Sequence, residues 1–272
     1  MASSHYSRVL GEYPSFRCFE GGRRLFTYAH PTVPELVRLR EMYSLDEVAG
    51  EGDDWSQATG LMNWTFQQLF CVGERQSLEP RNALHILAHR QQGQLLCIHQ
   101  AIVLNEALLA MGIPSRLLWC YPYQFDGDCH VVVTAFTSRF AKWVVLDPTF
   151  NTYFHDQEGV PLSIPEVRAS YAAGHWPSFR HISIDKSWVL VMNGVECETY
   201  DQFYRLYMAK NCFRFSSPAH SGFGCAYDEA IARVFLHPTG FSARNQYDAS
   251  SQHPEANVYT DNACAFFAVP AL

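Results

Sequence analysis

Cys97-Ile-His-Gln-Ala-Ile-Val-Leu-Asn-Glu-Ala-Leu-Leu-Ala-Met111 is the stretch on which the fold of this chain turns. Ile98, Ala101, Ile102, Leu108 and Leu109 recur at helical spacing, and Val103, Leu104 and Ala107 fill much of the opposite side. A helix that is apolar nearly all round is a buried one. Gly112 and Pro114 stop it. Gly93-Gln-Leu-Leu leads into it, so Cys97 stands where the helix opens. Downstream the period changes. Arg116–Cys120, His130–Phe136 and Lys142–Leu146 are short runs rich in β-branched and aromatic residues, separated by turn residues. A buried helix is thus followed by several short β-type runs, in a chain whose length suits one large domain.

Upstream of this core, residues 1–92 read as a helical part. A proline-started helix runs over Pro34–Tyr43, a second over Trp55–Phe70 after the turn Gly50–Asp54, and a third over Pro80–His89. Residues 93–175 form the central unit, ending in a helix opened by the capping box Ser163-Ile-Pro-Glu166. Residues 176–272 form a C-terminal extension with one more helix over Thr199–Ala209. From Phe213 onward its periodicity is weak, and the choice between lid, sheet extension and partner surface stays open.

Composition narrows the function classes. The chain has 272 residues, 48% hydrophobic, 14% aromatic and only 17% charged, which suits a well-packed globular protein. A net charge of −7 without Lys/Arg runs argues against nucleic acid. No apolar segment approaches the ~20 residues of a membrane span. The start carries no secretory core, so a cytoplasmic location is expected. Nine cysteines, an odd number at irregular spacing, then read as free thiols in a reducing compartment. On the same ground the glycosylation pattern Asn63-Trp64-Thr65 is a chance match.

Three residues suit nucleophilic catalysis. Cys97 at a helix start faces unpaired amides and the positive end of the helix dipole, which favour an anion. His130 opens a strand and Asp147 ends another, where they can form the second and third members of a Cys/His/Asp triad. The Cys97 amide is the natural first oxyanion donor. Trp64, Gln67, Gln91 and Gln94 are candidates for the second, and Asn151 for a supporting contact to the triad or simply a turn. His85 and His89 share a helix face but lack a third ligand, and Cys197, Cys212, His220 and Cys225 lack zinc-module spacing, so no metal and no cofactor is expected. Cys120 and Cys129 are the thiols near enough in sequence to resolve an oxidised Cys97.

The same elements resemble a known family. Cys97-Ile-His-Gln-Ala101, Leu108-Leu-Ala-Met-Gly-Ile-Pro-Ser-Arg116, His130 and Trp143-Val-Val-Leu-Asp147-Pro-Thr-Phe-Asn151 are similar to the transglutaminase-like superfamily of papain-type cysteine enzymes, in order, from about Gly93 to Arg168. Asp156-Gln-Glu-Gly-Val-Pro-Leu-Ser163 resembles the segment after the Asp in bacterial members. The resemblance implies an α+β fold, with the helix headed by Cys97 packed on an antiparallel sheet, and a thioester on Cys97. It also implies amide hydrolysis or acyl transfer on a small molecule or peptide, with an amine acceptor or a carrier-bound acyl group as further partners. Thr134 and Ala135 stand where many relatives carry an acidic residue. Other function classes are a catalytically idle binding or scaffold protein, or a cysteine redox sensor.

Overall fold

The computed structural model describes residues 2–19, 24–69, 77–124, 127–182, 190–192, 195–197, 199–241 and 256–271. Phe70, residues 125 and 126 of the loop before His130, and 242–255 of the C-terminal third lie outside them.

A mixed, mostly antiparallel sheet of eight strands organises the fold. At its centre are β2 (Ser115–Tyr121), β3 (His130–Thr137) and β4 (Lys142–Asp147). These extend on one side through β5 (Thr152–His155) and β6 (Ser178–His181). On the other side come β9 (Arg214–Pro218), β11 (Arg233–Leu236) and β12 (Val258–Thr260), with β11 and β12 parallel. The C-terminal extension therefore lengthens the sheet with four strands, β6 at one edge and β9, β11 and β12 on the other side, the last three from the part whose weak periodicity concealed them. Strands β2 to β4 are buried on both faces, so their side chains show little polar alternation.

Each face carries its own core. On the first, Leu117, Trp119, Val131, Val133, Val144 and Leu146 meet α6 (Cys97–Ala110), which in turn packs on α2 (Pro34–Met42), α4 (Asp54–Leu69) and α5 (Ala83–His89). On the second, Leu118, Cys120, Val132, Val145 and Phe215 meet side chains of α1 (Ala2–Glu12), α7 (Ile164–Ala172) and α8 (Tyr200–Asn211). The helix expected to be apolar all round is buried from Ile98 to Ala110. Three of its four polar residues there have partners: Asn105 bonds Ser221 and Ser115, and His99 and Glu106 bond backbone, whereas Gln100 is buried with its Oε1 unpartnered among the described residues. The Ser163–Glu166 capping box forms, with both the Ser163 amide and hydroxyl on Glu166 Oε2 at 2.7 Å.

Two buried arginines tie the termini to this frame. Arg116 donates to the Tyr28 hydroxyl at 2.7 Å and the Phe266 carbonyl at 2.6 Å. Its guanidinium lies 4.1 Å from the Phe26 ring and 4.2 Å from Trp143. Arg168 donates to the carbonyls of Tyr13, Pro14 and Phe213.

One sequence expectation is overturned. The cysteines are not all free, because Cys18 and Cys264 form a disulfide across a separation of 246 residues. The cause is local pairing: the Arg17 amide donates to Asp261, the Ala263 amide donates back to Arg17, and Asn262 bonds Phe19. That ladder sets residue 18 opposite residue 264, a proximity no spacing pattern contains. No described helix is long and apolar enough to cross a membrane.

Candidate active site

Cys97 is the first residue of α6, after Leu96 in extended conformation. The first amides of a helix lack the partner that later ones have four residues back, and here that of His99 turns back on the Leu96 carbonyl at 3.0 Å. The turn is fixed by a residue that the sequence reading passed over. His99 Nδ1 accepts from the Leu96 amide at 2.9 Å, and its Nε2 lies 2.7 Å from the Leu78 carbonyl. A nitrogen that accepts an amide proton cannot carry one, so the proton sits on Nε2 and is donated to Leu78. Burial pushes the His99 pKa down, with the two backbone bonds opposing, which keeps this ring neutral. The signal was available: a histidine at the third helical position can reach back to the residue before the helix, as Glu or Gln does in a capping box.

His130 opens β3 and Asp147 closes β4, and the two side chains lie side by side on the α8 face of the sheet. Both are almost fully buried. His130 Nε2 donates to Asp147 Oδ2 at 2.7 Å. The remaining nitrogen, Nδ1, makes no completed hydrogen bond, but the Cys97 side chain is near enough to act on the ring as hydrogen-bond and charge partner. Such a pair is close without being locked, as is common before substrate arrives. Burial, the largest influence on the imidazole, pulls its pKa down. Attraction to Asp147, the hydrogen bond to it and the Cys97 contributions outweigh this and raise it to about 10. His130 is therefore an imidazolium at neutral pH.

The carboxylate is saturated. Asp147 Oδ1 accepts from the amides of Thr149 at 3.1 Å and Phe150 at 3.4 Å, and Oδ2 also accepts the Tyr204 hydroxyl at 3.1 Å. The Asp147-Pro148 turn supplies the amides, and α8 supplies the phenol. Phe150 and Tyr207 flank the imidazole, with ring centroids 5.5 and 5.1 Å away. Sequence reading missed Tyr204 and Tyr207, since a tyrosine on an amphipathic helix carries no mark of the site it will face.

The other thiols near the site are held protonated. Burial, then the charges of Cys97 and Asp128, push Cys129 up to about 12, and burial raises Cys120 well above the ordinary thiol value. Both are poor resolving thiols, because exchange proceeds through the thiolate.

Among the described residues, Trp64, Gln67 and Gln94 make no hydrogen bond to the Cys97 side chain. Trp64 packs on the core with its ring 5.8 Å from Tyr43, and Gln67 and Gln91 are exposed. Gln94 pairs through its backbone with Ser77 and Leu78. Asn151 is fully buried in left-handed conformation at φ 48° and donates to Asn63 at 2.9 Å, fastening the turn after Asp147 to α4. Asn63, the head of the glycosylation pattern, is thus a half-buried helical residue engaged in that bond.

The profile of the transglutaminase-like superfamily matches residues 42–148. No curated protein matches the chain. Two solved structures are similar. A candidate cysteine protease from Cytophaga hutchinsonii shares 17% identity at a TM-score of 0.35, over 58% of this chain and 50% of its own. A candidate protease from Parabacteroides distasonis ATCC 8503 shares 14% identity at a TM-score of 0.27, over 59% and 30%. The chain thus spans half or less of the length of these relatives. The profile match ends one residue after Asp147, so the segment that carries Cys97, His130 and Asp147 is the part of this chain similar to the transglutaminase-like superfamily.

Proposed function

We propose that the chain is a cysteine-dependent enzyme that opens an amide or related acyl bond through a thioester on Cys97. The observation that carries this reading is the 2.7 Å bond from His130 to Asp147, with Cys97 at a helix start beside the other ring nitrogen. The imidazolium and the helix start are placed to favour negative charge on sulfur. Attack forms the S–C bond and moves the carbonyl electrons to oxygen, where the first-turn amides of α6 can receive them. Collapse expels the leaving amine, which takes the His130 proton. Neutral His130 then removes a proton from water or an acceptor amine as it attacks the thioester, and the sulfur departs as thiolate. Asp147 holds the ring and stabilises its charged form throughout. The substrate class that fits is a small molecule or peptide, by hydrolysis or transfer.

The test is site-resolved alkylation with limiting iodoacetamide from pH 5 to 9, in wild type and His130→Ala, with peptide mass spectrometry of every cysteine. Rapid labelling confined to Cys97 at pH 5 to 6, lost in His130→Ala, supports the reading, and turnover of acyl thioesters and amides should follow. Labelling of Cys97 no faster than that of the other free thiols would sink it.

A further inference from the structure

Glu106 sits nine residues, about two and a half turns, along α6 from Cys97 and has no part in the proposed chemistry. It is 2% exposed. No cation pairs with it among the described residues; its carboxylate instead accepts two backbone amides, Ala83 at 2.8 Å on Oε2 and Gly224 at 2.9 Å on Oε1. Burial pushes its pKa up, and the two amide bonds, which favour the ionised carboxylate, oppose that rise. Such a group is costly to bury, so the place it occupies calls for a reason.

Its two partners belong to opposite walls of one groove. A cavity of about 560 Å³ is lined by Glu79, Pro80, Arg81 and Asn82 on one side and by Gly224, Tyr227 and Asp228 on the other. Ala83 directly follows Asn82 and begins α5, while Gly224 is itself a wall residue, in left-handed conformation at φ 73°. The walls come from segments about 140 residues apart, and the Glu106 carboxylate joins them.

The groove lies toward the turn that carries Cys97, although Cys97 itself does not line it. Leu78, next to Glu79, accepts the His99 bond that fixes the turn carrying Cys97. Tyr227 lies within electrostatic reach of Cys97, with its ring 6.1 Å from Trp119. The cavity falls in the range of ligand pockets, ~300–1,000 Å³. Its lining mixes an Arg81–Glu79 ion pair at 2.6 Å, Asn82 and Asp228 with the flat surfaces of Pro80 and Tyr227, which suits an extended chain carrying amide groups.

We propose that this groove is the subsite for a peptide-like acyl chain and that Glu106 is its positioning residue, holding the 79–83 and 222–228 walls at the spacing the substrate needs. The inference rests on the function proposed above. Gln at 106 keeps one acceptor oxygen but turns an amide donor toward the other backbone N–H, so one wall is released.

The experiment compares Cys97 labelling by iodoacetamide, which needs no groove, with labelling by an N-acyl-dipeptidyl chloromethyl ketone, which does. Amide exchange at Ala83 and Gly224 is followed by NMR. In Glu106→Gln the ketone should slow at least about tenfold more than iodoacetamide, and at least one of the two amides should exchange about tenfold faster, the change expected for one hydrogen bond. Equal slowing of both reagents would reduce Glu106 to a support of α6 and overturn the proposal, as would no slowing of either. If the variant does not fold, the wild-type ketone adduct decides: both amides should exchange at least about threefold more slowly than in the free protein, and unchanged exchange overturns the proposal. Failure of the cysteine-enzyme reading shows separately, as an unreactive Cys97 in wild type with either reagent, and that result removes the subsite as well.

Discussion

The Tyr204 hydroxyl and His130 Nε2 share one acceptor, Asp147 Oδ2, at 3.1 and 2.7 Å. The phenol comes from α8, outside the 42–148 segment that matches the superfamily. The C-terminal extension thus reaches the proposed catalytic dyad by direct contact.

Tyr204→Phe should therefore lower the Cys97 alkylation rate and any turnover by roughly 3- to 30-fold while leaving the fold intact, since a hydrogen bond to a charged group contributes about 1.5–3 kcal/mol and part of that falls on orientation. Single-turnover kinetics with a thioester, beside a melting curve, would check it. A change in melting temperature with no change in rate would assign Tyr204 to packing alone.

His130 sets a pH window. Its folded-state pKa lies near 10, above the ordinary histidine value of about 6.5. The folded chain therefore holds a proton that the unfolded chain has released, and stability falls as pH rises between those values. The contribution is fully present below about pH 6.5 and is lost as pH passes through about 10. Melting temperatures from pH 6 to 10.5 should decline more steeply in wild type than in His130→Gln.

Arg116 should prove structural. Arg116→Met removes the bonds to Tyr28 and Phe266 and the stacking on Phe26 and Trp143. A loss of about 2–4 kcal/mol in urea unfolding is expected, with earlier proteolysis after residue 262. Arg116→Lys should recover little, because a point charge cannot reproduce the planar, forked contacts.

Reducing the Cys18–Cys264 bond frees a loop of 246 residues. Loop-closure entropy sets an upper bound of ~5 kcal/mol, which residual unfolded-state structure will diminish. The melting temperature should drop with reductant while Cys97 reactivity is retained, because the bond joins the chain ends and does not enter the Cys97, His130 and Asp147 cluster. Differential scanning calorimetry with and without reductant, repeated on Cys18→Ser, would show it.

Much of the fold could be read from local pattern. The run from Cys97 to Met111 is too apolar to face water on any side, and Gly112 with Pro114 must end it. The β-branched runs headed by His130 and closed by Asp147 follow the same logic. Hydrophobic period and chain-breaking residues act over a few positions, so they survive in the primary order. The long-range contacts do not. Tyr204 on Asp147, Cys18 against Cys264, three strands added from the C-terminal third and the Glu106 contact to Gly224 each join segments whose local composition is unremarkable. Their proximity follows from sheet order and the packing of helices on both faces. Side-chain type and spacing pointed to Cys97, His130 and Asp147, the residues proposed as nucleophile, base and orienting acid. The saturation of that acid, the neutrality of His99 and the walls of the groove arise only when the folded backbone brings donors and acceptors from distant segments within about 3 Å of one another.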